Sequence, residues 1–187
     1  KSRINYGTYI LPLTIEQISK AEFKVDEERK TVLLAISFIP PSIALTADML
    51  STNAQEPSEG SLANLLDGNI STYFHSAWSV EVPDEHYVQV TLKGPIHDFV
   101  FSYTTRSSNG NAAPIELIVS VSNDGRTFKD MARFTNVKDK LPTEAASSWE
   151  SPTIKSKEGC KYIRFTNVTN ASGSKYFVWS EFSLSGK

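Results

Sequence analysis

Between Leu62 and Trp78 the chain reads Leu-Ala-Asn-Leu-Leu-Asp-Gly-Asn-Ile-Ser-Thr-Tyr-Phe-His-Ser-Ala-Trp, and two kinds of chemistry are legible in it. The first half, Asn64 to Thr72, surrounds Gly68 with short oxygen-bearing side chains. A glycine there permits a sharp turn, so that carboxylate, amide, hydroxyl and main-chain oxygens can converge on a hard cation. The second half, Tyr73 to Trp78, interleaves aromatic rings with the imidazole of His75. That mixture suits a ligand with one apolar face and a fringe of hydroxyls, as a pyranose has.

Other groups further along extend the second set. Arg106 offers a fork of donors that can bridge vicinal oxygens, His75 donates or accepts according to its tautomer, and Asn111 does both. Ring stacking on the C–H face, with planar donors and acceptors fixing the hydroxyls, is recognition chemistry without a nucleophile. Trp78 is one candidate ring. Tyr176, Phe177 and Trp179 lie along one β-type segment, so at least one faces the core. Tyr176 or Phe177, nearest the loop, is expected to be the second stacking ring. Taken singly these residues have plainer uses: a loop histidine with a structural hydrogen bond, a solvated arginine, a core tryptophan.

Strands must hold these groups. Tyr87–Leu92 alternates, and His97–Tyr103 places Phe99, Phe101 and Tyr103 on one face. Ile115–Ser122 runs into Asn123-Asp124-Gly125, a strong hairpin turn. Thr127–Phe134, Lys161–Asn167 and Tyr176–Leu184 complete the set, and no segment carries a sustained helical period. Short strands with loop-rich connections predict an all-β fold, an antiparallel β-sandwich of jelly-roll type. Asp48–Gly60 is polar and is expected to form an irregular loop. Upstream, Tyr9–Ile15 and Thr31–Phe38 are β-type runs flanking Gln17–Lys30, where Phe23 and Val25 suggest a further short strand. The paired Pro40 and Pro41 stiffen a junction, giving an N-terminal β segment at 1–39 and a main domain at 40–187. Two or three strands are marginal alone in water, so the N-terminal segment needs partners.

Composition narrows the functional classes. The 187 residues suffice for one ordinary domain and a smaller piece, and 40% hydrophobic content allows a packed core. A net charge of −2 with no dense Lys/Arg block gives nucleic-acid binding no support. No apolar run reaches the roughly eighteen residues of a spanning helix. The single Cys160 excludes an internal disulfide. The opening Lys-Ser-Arg-Ile-Asn has no apolar signal region and reads as a mature or trimmed start.

From about Leu50 to Gly186 the chain resembles discoidin, or coagulation-factor type C, domains. Within them it is most similar to the galactose-binding-like modules grouped as family 32 carbohydrate-binding modules. The matching residues are the Leu65–Ser76 run, the Tyr87–Leu92 strand ending in Lys93-Gly94, Tyr103-Thr-Thr-Arg106, Val121–Phe128, Lys161–Phe165 and Trp179-Ser-Glu-Phe182. The resemblance implies a glycan contacted by His75, Trp78, Arg106 and Asn111, with Tyr176 or Phe177 as the added ring. It also implies a structural Ca2+ held by Asp67, Asn69, Thr72 and Glu181, facing away from the sugar end. Calcium takes about six to eight oxygens, and Asn69 stands where relatives often carry aspartate. The plainer alternative is a loop of Asx turns with Glu181 in an ordinary salt bridge. Phe74 replaces the tryptophan usual in the family and is expected in the core.

Gly7–Leu13 with Lys30–Leu33 resembles the last strands of a small β-sandwich that often precedes such modules in surface proteins of gut Bacteroidetes. The alternative for this segment is an N-terminal hairpin packed on the main domain. The expected function is therefore a non-catalytic, monomeric glycan-binding module of a larger secreted or cell-surface protein, such as one lipid-anchored at the outer membrane. The competing reading is a protein- or lipid-binding discoidin adhesion domain. Its membrane form lacks support, because Ser107–Asn111 is polar and the net charge is acidic. A glycosidase needs two carboxyls flanking a cleft, and Asp84, Glu85, Asp98 and Glu116 show no such pairing. Asn-x-Ser/Thr triplets begin at Asn69, Asn167 and Asn170.

Overall fold

The computed structural model describes residues 18–26, 31–38 and 40–187, and the chain divides into two compact units between Pro40 and Pro41. In the first unit, β1 (Ile18–Asp26) and β2 (Thr31–Phe38) pair antiparallel, with Phe23 opposite Leu34 and Val25 opposite Val32. The polar stretch before Thr31 thus forms a full strand. The run Tyr9–Ile15 lies outside the described residues.

The second unit holds β3 (Leu50–Thr52), β4 (Phe74–His75), β5 (Tyr87–Thr104), β6 (Pro114–Ser122) and β7 (Lys129–Thr135). After a one-turn helix α1 (Asn136–Asp139) come β8 (Ser148–Glu150), β9 (Ile154–Asn170), β10 (Val178–Trp179) and β11 (Glu181–Gly186). The main sheet runs β11-β5-β9-β6-β7, with β3 and β8 also paired to β5, and β10 pairs with β4. All of these pairings are antiparallel. The two segments read as separate strands, Tyr87–Leu92 and His97–Tyr103, are one bent strand. β9 pairs with both halves, β3 with the first, and β11 and β8 with the second. The ladder slips between Thr91 and Asp98, around Gly94 and Pro95, where proline has no N–H to give.

Two other boundaries differ from expectation. Asp48–Gly60 is not wholly irregular: a 3-10 turn at Ala47–Met49 leads into β3, because Met49 and Leu50 bury their side chains. Tyr176–Leu184 is not one strand. It breaks at Ser180, whose N–H turns to the Thr104 carbonyl at 2.8 Å, so β10 joins β4 while β11 joins β5.

Alternation dictates the core. β5 buries Val88, Val90 and Leu92, then Phe99, Phe101 and Tyr103; β9 adds Ile163 and Phe165, and β6 adds Leu117 and Val119. Trp179 is the centre, stacked 4.8 Å from Tyr103 and 5.8 Å from Phe182 by ring centroids and edge-on to Phe177 at 5.0 Å. Phe74 is in this core as expected. Cys160 is also buried, which pushes its thiol up to about 11.

Candidate functional site

The Tyr73–Trp78 run crosses the end of the sandwich in a short extended piece, and alternation sorts its side chains. Phe74 points inward, while Tyr73 remains partly exposed and Trp78 is 55% exposed. His75 is nearly enclosed at 6% exposure and sits among three rings. Its centroid lies 6.3 Å from Tyr73, 6.3 Å from Trp78 and 5.7 Å from Tyr176. Nδ1 of His75 approaches the Ser76 carbonyl at 2.7 Å. A carbonyl only accepts, so neutral His75 carries its proton on Nδ1 and presents Nε2 as a lone-pair acceptor. Among the described residues no donor occupies that Nε2.

Arg106 reaches the same cluster from just beyond the end of β5. Its guanidinium stands 4.2 Å above the Tyr73 ring, and Nη2 donates to the Tyr73 hydroxyl at 3.1 Å. The Tyr73 hydroxyl in turn donates to Glu59 at 2.6 Å, and Glu59 also accepts from Trp78 Nε1 at 2.9 Å. Imidazole, guanidinium, carboxylate and indole are thus linked around one tyrosine. The Tyr73 bond holds the Glu59 carboxyl below its ordinary range, helped by Trp78, His75 and Arg106 against the effect of burial. The same bond pushes the Tyr73 phenol up.

A second carboxylate fixes the backbone of the platform. Burial would raise Glu56, but its oxygens accept from the Ser79 hydroxyl and N–H, the Trp78 N–H and the Ser58 hydroxyl, and these hold its pKa at about 2. Gly60 lets the Glu59 segment pass against β4: its φ is +69°, and a Cβ there would come within 2.5 Å of the His75 nitrogen. Behind the cluster, the Ser76 hydroxyl accepts from the Phe177 N–H at 2.8 Å and shares a hydrogen bond with Nδ1 of buried His86 at 3.0 Å. Burial, with Lys175 nearby, pulls His86 below its ordinary range. Asn167 and Asn170, both fully buried, donate to the carbonyls of Lys175 and Tyr176 at 2.8 Å each and shape the loop that delivers Tyr176. These two asparagines of the Asn-x-Ser/Thr triplets are therefore structural and inaccessible to modification in the folded chain, whereas Asn69 is exposed.

The structure brings together His75, Trp78, Arg106 and Tyr176. Asn111 is exposed on the neighbouring 109–113 turn, which joins β10 through Val178 N–H to Ala112 carbonyl at 3.1 Å. Among the described residues its side chain bonds to none of the others. Phe177 is a correction: it is wholly buried against Phe74 and Trp179, so its ring cannot meet a ligand. Successive residues of an extended segment face opposite ways, and the outward one is Tyr176. Sequence reasoning missed Tyr73, Glu59 and Glu56. Tyr73 had a signal, since it alternates with Phe74; the glutamates lay in a stretch with no pattern.

The proposed cation residues also converge in part. Asp67 accepts from the Asn69 N–H at 2.8 Å and the Thr72 hydroxyl at 2.7 Å, and Asn69 Oδ1 accepts from the Ser71 N–H at 3.1 Å. These are Asx turns. Glu181 comes close beside Asp67, and its Oε1 is buried without a hydrogen-bond partner. Burial first, and the Asp67 charge second, push the Glu181 carboxyl up, against the N–H groups of Gly68 and Asn69. The ordinary salt bridge that was the plainer reading does not occur among the described residues, nor does any gathering of three or more His, Cys, Asp or Glu side chains. The expected direction needs correction too. Glu181 pairs across the ladder with Thr104, two residues before Arg106, and Thr72 adjoins Tyr73, so this acid pair shares the end of the sandwich that carries the aromatic cluster.

Comparison with known proteins places these features in a family. In sequence the chain is similar to a sialidase of Micromonospora viridifaciens, 24% identical over 131 residues; the match spans 69% of this chain but only 19% of that enzyme. In structure it is similar to the Clostridium perfringens module CpGH89CBM32-5, solved with GalNAc-β-1,3-galactose, at a TM-score of 0.60, 16% identity and coverage of 72% of this chain and 92% of that one. It is also similar to the family 32 carbohydrate-binding module of C. perfringens NanJ, solved with galactose, at a TM-score of 0.57, 18% identity and coverage of 78% and 98%. A C-terminal domain of a Bacteroides fragilis chitobiase gives 0.59, 18%, and 76% and 97%. Residues 50–182 match the F5/8 type C domain, and the chain belongs to that family.

Proposed function

We propose that residues 41–187 are a non-catalytic module that binds a neutral, galactose-type glycan at the end of the sandwich formed by Tyr73, His75, Trp78, Arg106 and Tyr176. The observation that carries this is the placement of an exposed indole beside a lone-pair acceptor and a guanidinium, all tied to one tyrosine. A pyranose laid on Trp78 would cover the indole with its C–H face. Its hydroxyls would then donate to His75 Nε2 and Glu59 and accept from Arg106. The glycans in the solved relatives agree with this class. Protein- or lipid-binding adhesion has no comparable feature here, since Ser107–Asn111 offers no apolar spike.

The two carboxylates bonded into the aromatic cluster do not supply glycosidase chemistry. A glycosidase needs one carboxyl with a raised pKa to protonate the leaving group. Glu56 and Glu59 are both held low by donors, so neither carries a proton to give at neutral pH. The module would belong to a larger secreted or cell-surface protein and act as its anchor to glycans.

A structural Ca2+ fits the Asp67–Glu181 pair, because a buried carboxylate oxygen without a partner beside a second carboxylate is what a cation relieves. Asp67, Glu181, the Thr72 hydroxyl and main-chain oxygens of the loop would hold it, with Asn69 contributing a neutral oxygen at most. Its proximity to Tyr73 means that the ion would brace the binding rim as well as the last strand.

The test is a glycan array with the wild type and Trp78→Ala, His75→Ala and Arg106→Ala variants. Trp78→Ala is the decisive arm, since an indole more than half exposed can be removed with little effect on folding. Losing its stacking should weaken binding by about 2 kcal/mol, roughly thirtyfold in Kd. Wild-type binding by the Trp78 variant would dismiss the site.

A further inference from the structure

At the opposite end of the same sheet lies a cavity of about 530 Å³. It opens between the β6–β7 turn and the start of β9, where Val121 and Met131 form an apolar floor and Lys129, Lys155 and Lys157 line the walls. Among the described residues none of these three ammonium groups has a salt bridge or hydrogen bond. Two carboxylates share the lining, Asp124 and Glu158. Asp124 is already spent on its own turn: Oδ1 accepts from Thr127 N–H, Arg126 N–H and the Ser122 hydroxyl at 2.8 Å each, and these hold its pKa at about 2. Three ammonium groups therefore face two carboxylates, one of them already held by its own turn, which leaves the lining net positive on a chain whose net charge is −2.

The walls are built rather than incidental. The irregular 156–159 stretch of β9 is tied across to the β6–β7 turn by Asn123 Nδ2 donating to the Gly159 carbonyl at 3.1 Å, which also accepts from the Ser156 hydroxyl at 3.1 Å. His97 reaches the Ser156 carbonyl from β5 at 3.2 Å. Lys155 and Lys157 thus project from a backbone fixed on both sides, while their own chains remain exposed. The cavity continues past Met131 and Lys155 into a smaller apolar depression of about 270 Å³ over Phe134, Pro152 and Ile154. A ligand matching this trough has an anionic group at one end and an apolar face along its length.

We propose that this trough is a second binding site, for an anionic saccharide whose carboxylate or sulfate lodges among Lys129, Lys155 and Lys157 and whose C–H face covers Met131. Pockets of about 300–1,000 Å³ accommodate small ligands, and point-charge ammonium groups accept either anion. The site does not depend on the aromatic cluster. The same domain would then hold neutral sugar at one end and charged sugar at the other, and linking two weak sites raises overall avidity.

The experiment is an amide NMR titration of the full chain with glucuronate, glucose 6-sulfate, glucose and inorganic sulfate. Either anionic sugar should shift the amides of Asn123–Met131 and Lys155–Gly159 saturably, with an affinity that falls as salt is raised, and the preferred anion tells carboxylate from sulfate. Glucose should leave those amides in place. Lys155→Glu combined with Lys157→Glu should weaken the anionic sugar at least tenfold while leaving the spectrum of the core and the Trp78 indole signal unchanged. The proposal is overturned if neither anionic sugar shifts the trough, if inorganic sulfate alone does so equally well, or if the double variant binds like wild type.

Discussion

Glu59 shows how one side chain can change the meaning of its neighbours. Tyr73 and Trp78 each donate to it, so two ring edges are locked before any ligand arrives, and its remaining lone pairs face the same rim. Charge-assisted bonds of this kind contribute roughly 1.5–3 kcal/mol. Glu59→Gln keeps the shape and one acceptor oxygen but removes the charge. It should weaken glycan binding about tenfold by titration calorimetry and also lower the melting temperature, since the bonds from Tyr73 and Trp78 lose their charge assistance. The His75 ring is almost enclosed and packed by three others, so His75→Ala should lower the melting temperature as well as binding. A loss of binding in that variant with no loss of stability would show that the ring is less confined than the structure places it. The histidine was legible from its company of aromatics. Its burial was not, because Tyr176 reaches it from a hundred residues away.

At the scale of elements, the site depends on how closely two extended segments pass. The Glu56–Gly60 segment exchanges main-chain bonds with β4, His75 N–H to Gly60 carbonyl at 3.1 Å and Glu56 N–H to His75 carbonyl at 3.2 Å. Gly60→Ala would force a Cβ into the His75 backbone at a φ that side chains rarely adopt. It should cost on the order of 1–3 kcal/mol of stability and displace Glu59 from Tyr73. A chemical-denaturation midpoint equal to wild type, with glycan affinity intact, would contradict that account. Alternation in β5, β6 and β9 was visible in the sequence because hydrophobic residues at every second position report one buried face. The bend of β5 and the break at Ser180 were not. They depend on which carbonyl each N–H finds, and those partners come from other strands.

For the whole molecule, the titrating groups make opposite demands on pH. Glu56 is held at about 2 against an ordinary 4.5, so its contribution to stability is complete above pH 4.5 and drains as pH falls toward 2. His86 is depressed from 6.5, so the folded state binds fewer protons there too, and stability falls as pH drops below about 6.5. Glu181 has the reverse sign. Its carboxyl is raised, so without a cation the fold loses stability as pH climbs above 4.5 and the group ionises beside Asp67. Calcium should cancel that loss. The melting temperature should rise on adding Ca2+ at pH 7.5, rise less at pH 4.5, and fail to respond in Glu181→Gln. A melting curve indifferent to chelator at pH 7.5 would remove the metal from the account.

By itself the sequence determined the all-β class, the sandwich, the family and the pairing of an imidazole run with a distant arginine. Each of these rests on local pattern: period-two hydrophobicity, turn residues, and short motifs whose spacing is fixed along the chain. Tertiary structure decided which aromatic faces outward at Tyr176–Phe177, that Tyr73 and Glu59 join the rim, and that Asp67 and Glu181 stand beside it. It alone revealed the lysine-lined trough at the far end. The physical reason is the same throughout: side-chain burial and charge pairing are set by partners far apart in sequence, and only the closed sandwich brings them within bonding distance.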